Sequence, residues 1–532
     1  MRKHEDKREN RRTFYHLCLL VVMCLTAGRI CSVTSREGDT AFLSANDRSR
    51  WCTVASLVED GTYEIDRFVN YKNKKNRRPW YTIDMVRHRG ADGEQHFYSS
   101  KPPLFPTMVA GVYWVAHNVF GLTMSEQPIY VPRLILLLVN LPLLYLFCWS
   151  SIWSIEMVGR GDWSRRFAAT CVCFGTMLTA FAISLNNHLP AAAFTGLMIY
   201  LYFKAAEKLD DTDAFHLRDM PFDFWMLGGV AAAFTAANEL PALCMLVLWG
   251  GLVYRLSQKA IVPFALGALL VAAAFFGSNY AAHSTFRPAY AHRGNGAEIG
   301  SVELLKVWPT EQIQQTLTEK GLIQPGTSID IRPSGEANRA IIETDSHQLF
   351  ALISDLKSNT STIHHWDDWY DYPGSYWNDG NRKGVDLGEP SRLLYLVNMT
   401  FGYYGIFSIS PIWLLAPLGL IDGLNRGPRD YRRFVAATGI ATIVCMLFYV
   451  LRPEIDRNYG GVSACFRWML WFSPLWLTAM APIMDDAAEY IKQRFLLLAL
   501  LGCSVFSVSF ALDSPWQSPW IYQFWSFLGW IG

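Results

Sequence analysis

Apolar residues in this chain come in blocks near the roughly 20 residues that a bilayer-crossing helix needs. Short polar turns and two long polar stretches separate them. The blocks lie at residues 14–32, 131–153, 165–185, 189–206, 222–238, 240–254, 261–281, 396–421, 432–451, 466–484 and 493–512. Each reads as a membrane span, which predicts an all-α polytopic membrane protein with about 11 transmembrane helices. The blocks at 222–238 and 240–254 are short and meet at Asn238-Glu239-Leu240-Pro241, a natural turn between two steep helices. The irregular spacing argues against a repeat array.

A further block, 103–121 (PLFPTMVAGVYWVAHNVFG), is long enough to cross, and loop charge decides its placement. If it does not cross, the loops carrying Arg160, Arg165 and Arg166, then Arg255 and Lys259, then Arg426, Arg429, Arg432 and Arg433 all fall inside. The turns Asn186-Asn187-His188 and Asn238-Glu239 then lie outside, with no Lys or Arg. If it crosses, all of these loops flip against the positive-inside rule. The block is therefore expected to be a helix lying in the outer interface. The N-terminal MRKHEDKRENRR is basic, and no small-residue cleavage site follows the first apolar block, so the first helix is expected to stay, with its N-terminus cytoplasmic. Three regions follow: a transmembrane module at 1–281 with an outer loop at 33–130, an extracytoplasmic loop domain at 282–395, and C-terminal helices with an interfacial tail at 396–532.

Composition sharpens this picture. Hydrophobic residues make up 51% and charged residues only 17%, against about 25% charged in soluble proteins. That excludes an ordinary cytosolic enzyme and a disordered chain. The formal net charge of +1 leaves no electrostatic footprint for a nucleic-acid partner. Most of the 11 cysteines lie inside apolar blocks, where Cys is a small buried hydrophobe. They form no disulfide framework and no metal-binding spacing.

Polar residues at span ends are the candidates for chemistry. The first outer loop carries SANDRSRW, with Asp47 and Arg50, and then HFYSSKPPLFP, with Tyr98 and Lys101. Arg133 opens the second span. Asn187 and His188 stand at the next outer turn, Glu239 at the one after, and Arg467 where a late span begins. Group transfer from a lipid-linked phosphate would use such a set. Arg and Lys neutralise the leaving phosphate, a carboxylate takes a proton from the incoming nucleophile, and aromatic rings face the sugar. Each residue also has a plainer reading. Asp47 could cap a short helix, Lys101 could snorkel as a membrane anchor, and Asn186-Asn187-His188 could end one helix and cap the next.

The run NDRSRWCTVASLVEDGTYEI, then YSSKPPLFPTMVAGVYWVAHNVFG, then PRLILLL resembles the first outer loop of GT-C membrane glycosyltransferases, nearest to the ArnT and protein-mannosyltransferase pattern. There an acidic pair opens a short helix, a glycine ends it, and a KPPL segment starts a second helix ending in FG. A later run, NYGGVSACFRWMLWFSPLW, resembles the YGG…R…P segment of related bacterial members. The resemblance implies seven shared helices, interfacial helices in the first loop, a large outer loop after helix seven, and a bacterial inner (plasma) membrane. It implies transfer of a sugar from a polyprenyl-phosphate donor to a glycan, lipid or protein acceptor outside the cytoplasm, among membrane lipids and without nucleic acid. Asp47 matches the family's first-loop acid and Lys101 its phosphate-contacting lysine. Arg133 and Arg467 are expected to complete the phosphate clamp, and Arg50, Tyr98, Asn187 and His188 to line the substrate site.

The sequence departs from the family at two places. The acidic pair is Asn46-Asp47, and the second acid falls at Asn187 or His188. Glu239, where a lysine often stands, is expected to restore the missing acid. A divalent metal therefore has weak support, and no metal ligand set is assigned. The aromatic run IHHWDDWYDYPGSYW at 363–377 could line an acceptor groove, hold a metal through His364, His365, Asp367 and Asp368, or pack on the membrane surface. Of the metal and packing readings, packing is preferred. Two other classes stay open: a transporter or flippase of lipid-linked glycans, and a non-catalytic chain that kept the fold.

Overall fold

A computed structural model describes residues 2–210, 220–304, 307–355, 357–378 and 380–531. The chain is mostly helical, at 61%. Among the described residues six helices are long and apolar enough to cross a membrane: Lys7–Ser32, Tyr130–Val158, His188–Leu209, Gln258–His283, Arg429–Leu451 and Ile491–Ala511. At about 1.5 Å per residue each exceeds a hydrocarbon core of roughly 30 Å.

The other five expected spans are short or broken. The block at 165–185 becomes helices Asp162–Phe174 and Leu178–Phe181 with irregular chain after them. Residues 396–421 divide into Arg392–Thr400, Ile406–Ile409 and Leu415–Arg426, interrupted near Gly402, Gly405 and Pro411. Residues 466–484 form a 3-10 segment, Arg467–Phe472, and two short helices, Ser473–Ala479 and Ala481–Ala487. The turn at Glu239 separates Phe222–Asn238 from Leu243–Leu256. Irregular backbone at membrane depth is tolerated only inside protein. Accordingly, residues 175–186 and 469–481 are buried throughout. Amides satisfy the freed carbonyls: Asn140 Nδ2 donates to Ala182 O at 2.8 Å and Ser184 O at 2.9 Å, and Asn186 Nδ2 to Phe181 O at 2.7 Å. Apolarity alone does not distinguish such buried segments from lipid-facing ones.

Two compact units are present. The first comprises Met1–Asp47, Asn118–Ala274 and Val385–Gly532. Its helix ends are distinguished by their polar contacts. At one end Arg11 is bound by Glu156 and Asp162, Arg160 reaches Asp485 and Asp486, and Arg426 reaches Asp486. At the other, Arg29 donates to Leu512 O at 3.0 Å and Arg133 Nε to Val33 O at 2.8 Å. Helices Phe222–Asn238 and Ile261–His283 touch backbone to backbone. A Cβ on Gly229 would lie 1.8 Å from Phe264 O, and one on Gly267 would lie 2.0 Å from Met226 O. Glycine at both positions is what allows that approach.

The second unit joins Arg48–His117 to Phe275–Gly384. Here the all-α expectation gives way. Strands Asn295–Glu303, Thr360–Trp366, Leu349–Asp355, Arg339–Thr344 and Ile329–Pro333 lie side by side in that order as an antiparallel sheet. Ile342 pairs with Phe350 and Leu352 with Ile363. These side chains pack with Ile313 and Leu317 of helix Thr310–Glu319. Met85–Arg89 and Gln95–Ser99 form a hairpin. The block at 103–121 forms the 17-residue helix Leu104–Phe120, whose Met108, Trp114, Val119 and Phe120 are exposed. The two stretches of this unit are hydrogen-bonded to each other. Arg87 N donates to Trp369 O at 2.8 Å, and Trp377 Nε1 donates to Ile83 O at 2.7 Å.

Candidate functional site

Four of the residues singled out in the sequence meet in the first unit: Asn187, His188, Glu239 and Arg467. Asn186 sets the geometry. Its Oδ1 accepts His188 N at 2.9 Å and Leu189 N at 3.2 Å, capping the helix that starts at His188. The imidazole then bridges two charges. His188 Nδ1 contacts Glu239 Oε1, and Arg467 Nη1 lies 2.7 Å from His188 Nε2. An arginine can only donate. Nε2 must therefore carry the lone pair, and the ring proton sits on Nδ1, pointing at Glu239. His188 is neutral in this tautomer, and the carboxylate and guanidinium charges balance across it. All three are buried: His188 1%, Glu239 5% and Arg467 8% exposed. Asn187 Nδ2 adds a donor to Glu239 Oε1 at 2.7 Å and one to Asn238 O at 2.9 Å.

Arg467 is held from two further sides. Its Nε donates to Gly460 O at 2.6 Å, and its Cζ lies 4.8 Å from the Trp516 ring centre. Trp516 is fixed in turn by its Nε1 bond to Ser184 Oγ at 2.9 Å. Gly460 has φ +91°, and a Cβ there would stand 2.6 Å from Arg467 Nε. The doubled glycine of NYGG thus leaves room for the guanidinium. Trp516 and Ser184 carry no sequence signal for this role, because their function depends on contacts far along the chain. Chemically, the cluster is a fixed cation with its charge already balanced. Another proton on His188 would face Arg467, so the cluster suits electrostatic stabilisation better than proton shuttling.

Asp47 and Arg133 belong to the same unit. Ser44 Oγ accepts Asp47 N at 3.1 Å, while the Asp47 carboxylate accepts Ser44 N at 2.9 Å and Leu43 N at 3.0 Å. This reciprocal pair is a capping box at the start of helix Ala45–Glu59. Asp47 therefore has a structural task alongside any chemical one. Arg133 ties the second long helix to the chain leaving the first, through Val33 O.

Lys101, Arg50 and Tyr98 lie in the second unit. Lys101 Nζ is 3.0 Å from Asp84 Oδ1, with side chains 20% and 13% exposed. Asp84 was not singled out from the sequence; nothing in TIDM marks it as the partner of a lysine 17 positions later. Helix Leu104–Phe120 starts three residues after Lys101, and Pro102, Pro103 and Pro106 give it few N–H groups for an anion. Arg50 is buried on helix Ala45–Glu59. Tyr98 is part of a row of rings. It stacks on His88 at 4.0 Å and 7°, His88 lies 4.1 Å from Trp369, and Trp369 stacks on His292 at 3.6 Å and 3°. Burial pushes the Tyr98 phenol above its ordinary range and the His88 imidazole down to about 4. One face of Tyr98 is thus taken by packing.

The run at 363–377 does not gather its four candidate ligands. Asp367 binds Arg287 at 2.7 Å and His292 at 2.6 Å, and Asp368 binds Arg339 at 2.9 Å. His364 Nδ1 contacts Gly296 O, while His365 is exposed. Adjacent strand residues point to opposite faces, so His364 and His365 cannot share a ligand. Among the described residues no group of three or more His, Cys, Asp or Glu is placed to hold a metal.

No family model matches this chain, and no curated protein matches it. Solved structures similar to this chain include the following three. An oligosaccharyltransferase from Archaeoglobus fulgidus in the apo form is 11% identical, with a TM-score of 0.48, over 97% of this chain and 57% of that one. The Archaeoglobus fulgidus oligosaccharyltransferase AglB, in complex with an inhibitory peptide and a dolichol-phosphate, is 9% identical, with a TM-score of 0.42, over 98% and 58%. The S. cerevisiae protein O-mannosyltransferase Pmt1-Pmt2 complex, bound to the sugar donor, is 10% identical, with a TM-score of 0.41, over 97% and 92%. The chain spans a little over half the length of the archaeal chains it matches.

Proposed function

We propose that this chain is a membrane glycosyltransferase of the GT-C type, moving a sugar from a polyprenyl-phosphate donor to an extracytoplasmic glycan, lipid or protein. The supporting observation is the Glu239–His188–Arg467 relay, which holds a buried guanidinium in one orientation with its charge balanced. A leaving phosphate gains negative charge in the transition state, and a preorganised cation is what lowers that barrier. In this reading the acceptor oxygen or nitrogen attacks the anomeric carbon from the face opposite the phosphate. The bond from that carbon to the phosphate oxygen breaks, and its electron pair leaves with the phosphate. The acceptor's proton passes to a carboxylate, for which Asp47 is the candidate, since a carboxylate oxygen accepts more than one hydrogen bond. Arg467 faces the leaving group. Glu239 acts through His188 as a positioning residue.

The test is turnover by the purified full chain in liposomes containing a radiolabelled polyprenyl-phosphate sugar. Release of the sugar from its phosphate to water, which attacks the anomeric carbon in place of the acceptor, is the readout, so the acceptor need not be known. The wild type is expected to cleave the donor, and Arg467→Lys to lose about a hundredfold or more, because a point charge cannot reproduce the guanidinium contacts. Movement of the intact donor across the bilayer without cleavage would instead establish a flippase.

A further inference from the structure

Arg457 lies in the loop between helix Arg429–Leu451 and the segment Arg467–Phe472. It is 6% exposed. Among the described residues its guanidinium makes no hydrogen bond. Nε is enclosed and unpartnered, and its ion pair with Glu454 is long, at 3.9 Å, to a carboxylate that is itself 60% exposed. Three other buried arginines each make at least one hydrogen bond, although Arg339 Nε and Nη2 are also unpartnered. Arg11 donates to Glu156, Arg339 to Asp368 and Arg467 to Gly460 O. Nor is the loop loose around Arg457. Its carbonyl accepts Glu389 N at 2.8 Å, the next carbonyl accepts Tyr395 Oη at 2.7 Å, and Tyr459 stacks on Tyr404 at 4.3 Å.

An arginine cannot shed its proton to escape burial. A largely buried guanidinium whose Nε is unpartnered and whose counter-charge stands 3.9 Å away is under-compensated, and a bound anion would relieve it. The border of the loop narrows the class of anion. Leu451, Ile455 and Val462, which flank Arg457 along the chain, are exposed apolar residues. A free anion gains nothing from that border, whereas a phosphate carried on a lipid places its headgroup at the guanidinium and its chain against the apolar residues. Guanidinium and phosphate also match in bidentate geometry.

We propose that Arg457 binds the phosphate of a lipid, either the carrier phosphate of a lipid-linked sugar or the headgroup of a bulk phospholipid. The inference needs only that the chain resides in a membrane and does not depend on sugar transfer. The test measures binding to the full chain in detergent, using a polyprenyl phosphate, phosphatidylglycerol and inorganic phosphate as separate probes. Arg457→Gln is expected to weaken a phosphate lipid by about tenfold to a hundredfold, with Arg457→Lys between. The unfolding temperature of Arg457→Gln without ligand should match or exceed that of the wild type, since an uncompensated charge has been removed. Loss confined to polyprenyl phosphate assigns the site to the carrier. Equal loss with phosphatidylglycerol assigns it to the headgroup. Unchanged affinity for both lipids, with or without a fall in unfolding temperature, overturns the proposal. So does an effect on inorganic phosphate alone. Donor cleavage is not read in this test, so a failed transfer assay leaves it intact.

Discussion

Removing Glu239 should unbalance a charge buried with it. Arg467 is 8% exposed and meets Glu239 through the neutral His188. Glu239→Ala takes away the relay's carboxylate and leaves the guanidinium uncompensated there. Breaking a buried pair in this way costs about 3–5 kcal/mol. Glu239→Gln keeps an oxygen for the His188 Nδ1 proton but not the charge. It should cost roughly 1.5–3 kcal/mol, the scale of a charge-assisted hydrogen bond. Arg467→Met should cost a similar amount, because the buried carboxylate then loses the guanidinium charge that His188 relays to it. The combination of Glu239→Gln with Arg467→Met should fall well short of the sum of the two single changes. Equilibrium unfolding of the four purified proteins in detergent, followed by tryptophan fluorescence, closes the cycle. A coupling of about 2 kcal/mol is expected from a shared buried charge pair. Additivity within about 0.5 kcal/mol would refute the relay and reduce the cluster to independent polar contacts.

Two other expectations follow from the geometry. Gly460→Ala must adopt φ +91° and would set a Cβ 2.6 Å from Arg467 Nε; donor cleavage should fall with the strained loop at a stability cost of about 1–3 kcal/mol, and an alanine variant with wild-type turnover would show that Arg467 can move without consequence. Stability of the second unit should depend on pH through His88, which faces His283, His292, His96, Arg89, Tyr98 and Trp369. Its pKa is lower folded than the ordinary 6.5, so the unfolded chain binds the extra proton. Stability is then complete above about pH 6.5 and is lost as pH falls toward about 4, by roughly 3 kcal/mol. Protease resistance of residues 48–117 across that range is the measurement, His88→Phe should reduce the dependence without abolishing it because burial lowers His292 as well, and a flat wild-type profile would contradict it.

The two units were legible to different degrees. Long apolar blocks bounded by charge mark out the six span-length helices, because a helix satisfies its own backbone and needs only a local run of suitable residues. The five short or broken segments also come as apolar blocks, and in one of them Gly402, Gly405 and Pro411 interrupt the helix. What makes those interruptions tolerable is burial by other segments, which no local pattern records. The sheet at 295–366 was missed for the same reason. RAIIET and LFALISD become strands through partners supplied by neighbouring hairpins.

The chemistry divides along the same line. Residue types and their place at span ends marked Glu239, His188, Asn187 and Arg467 from sequence alone, because polar groups between apolar blocks are costly and few. That these four converge, that Lys101 is paired with Asp84, that Asp47 closes a capping box and that Arg457 lacks an adequate partner were decided by tertiary structure alone. A side chain's charge and size are local properties that its sequence position carries. Its partners can lie hundreds of residues away, as Arg467 lies 279 from His188 and Arg29 lies 483 from Leu512, and only the packing of the whole chain selects them.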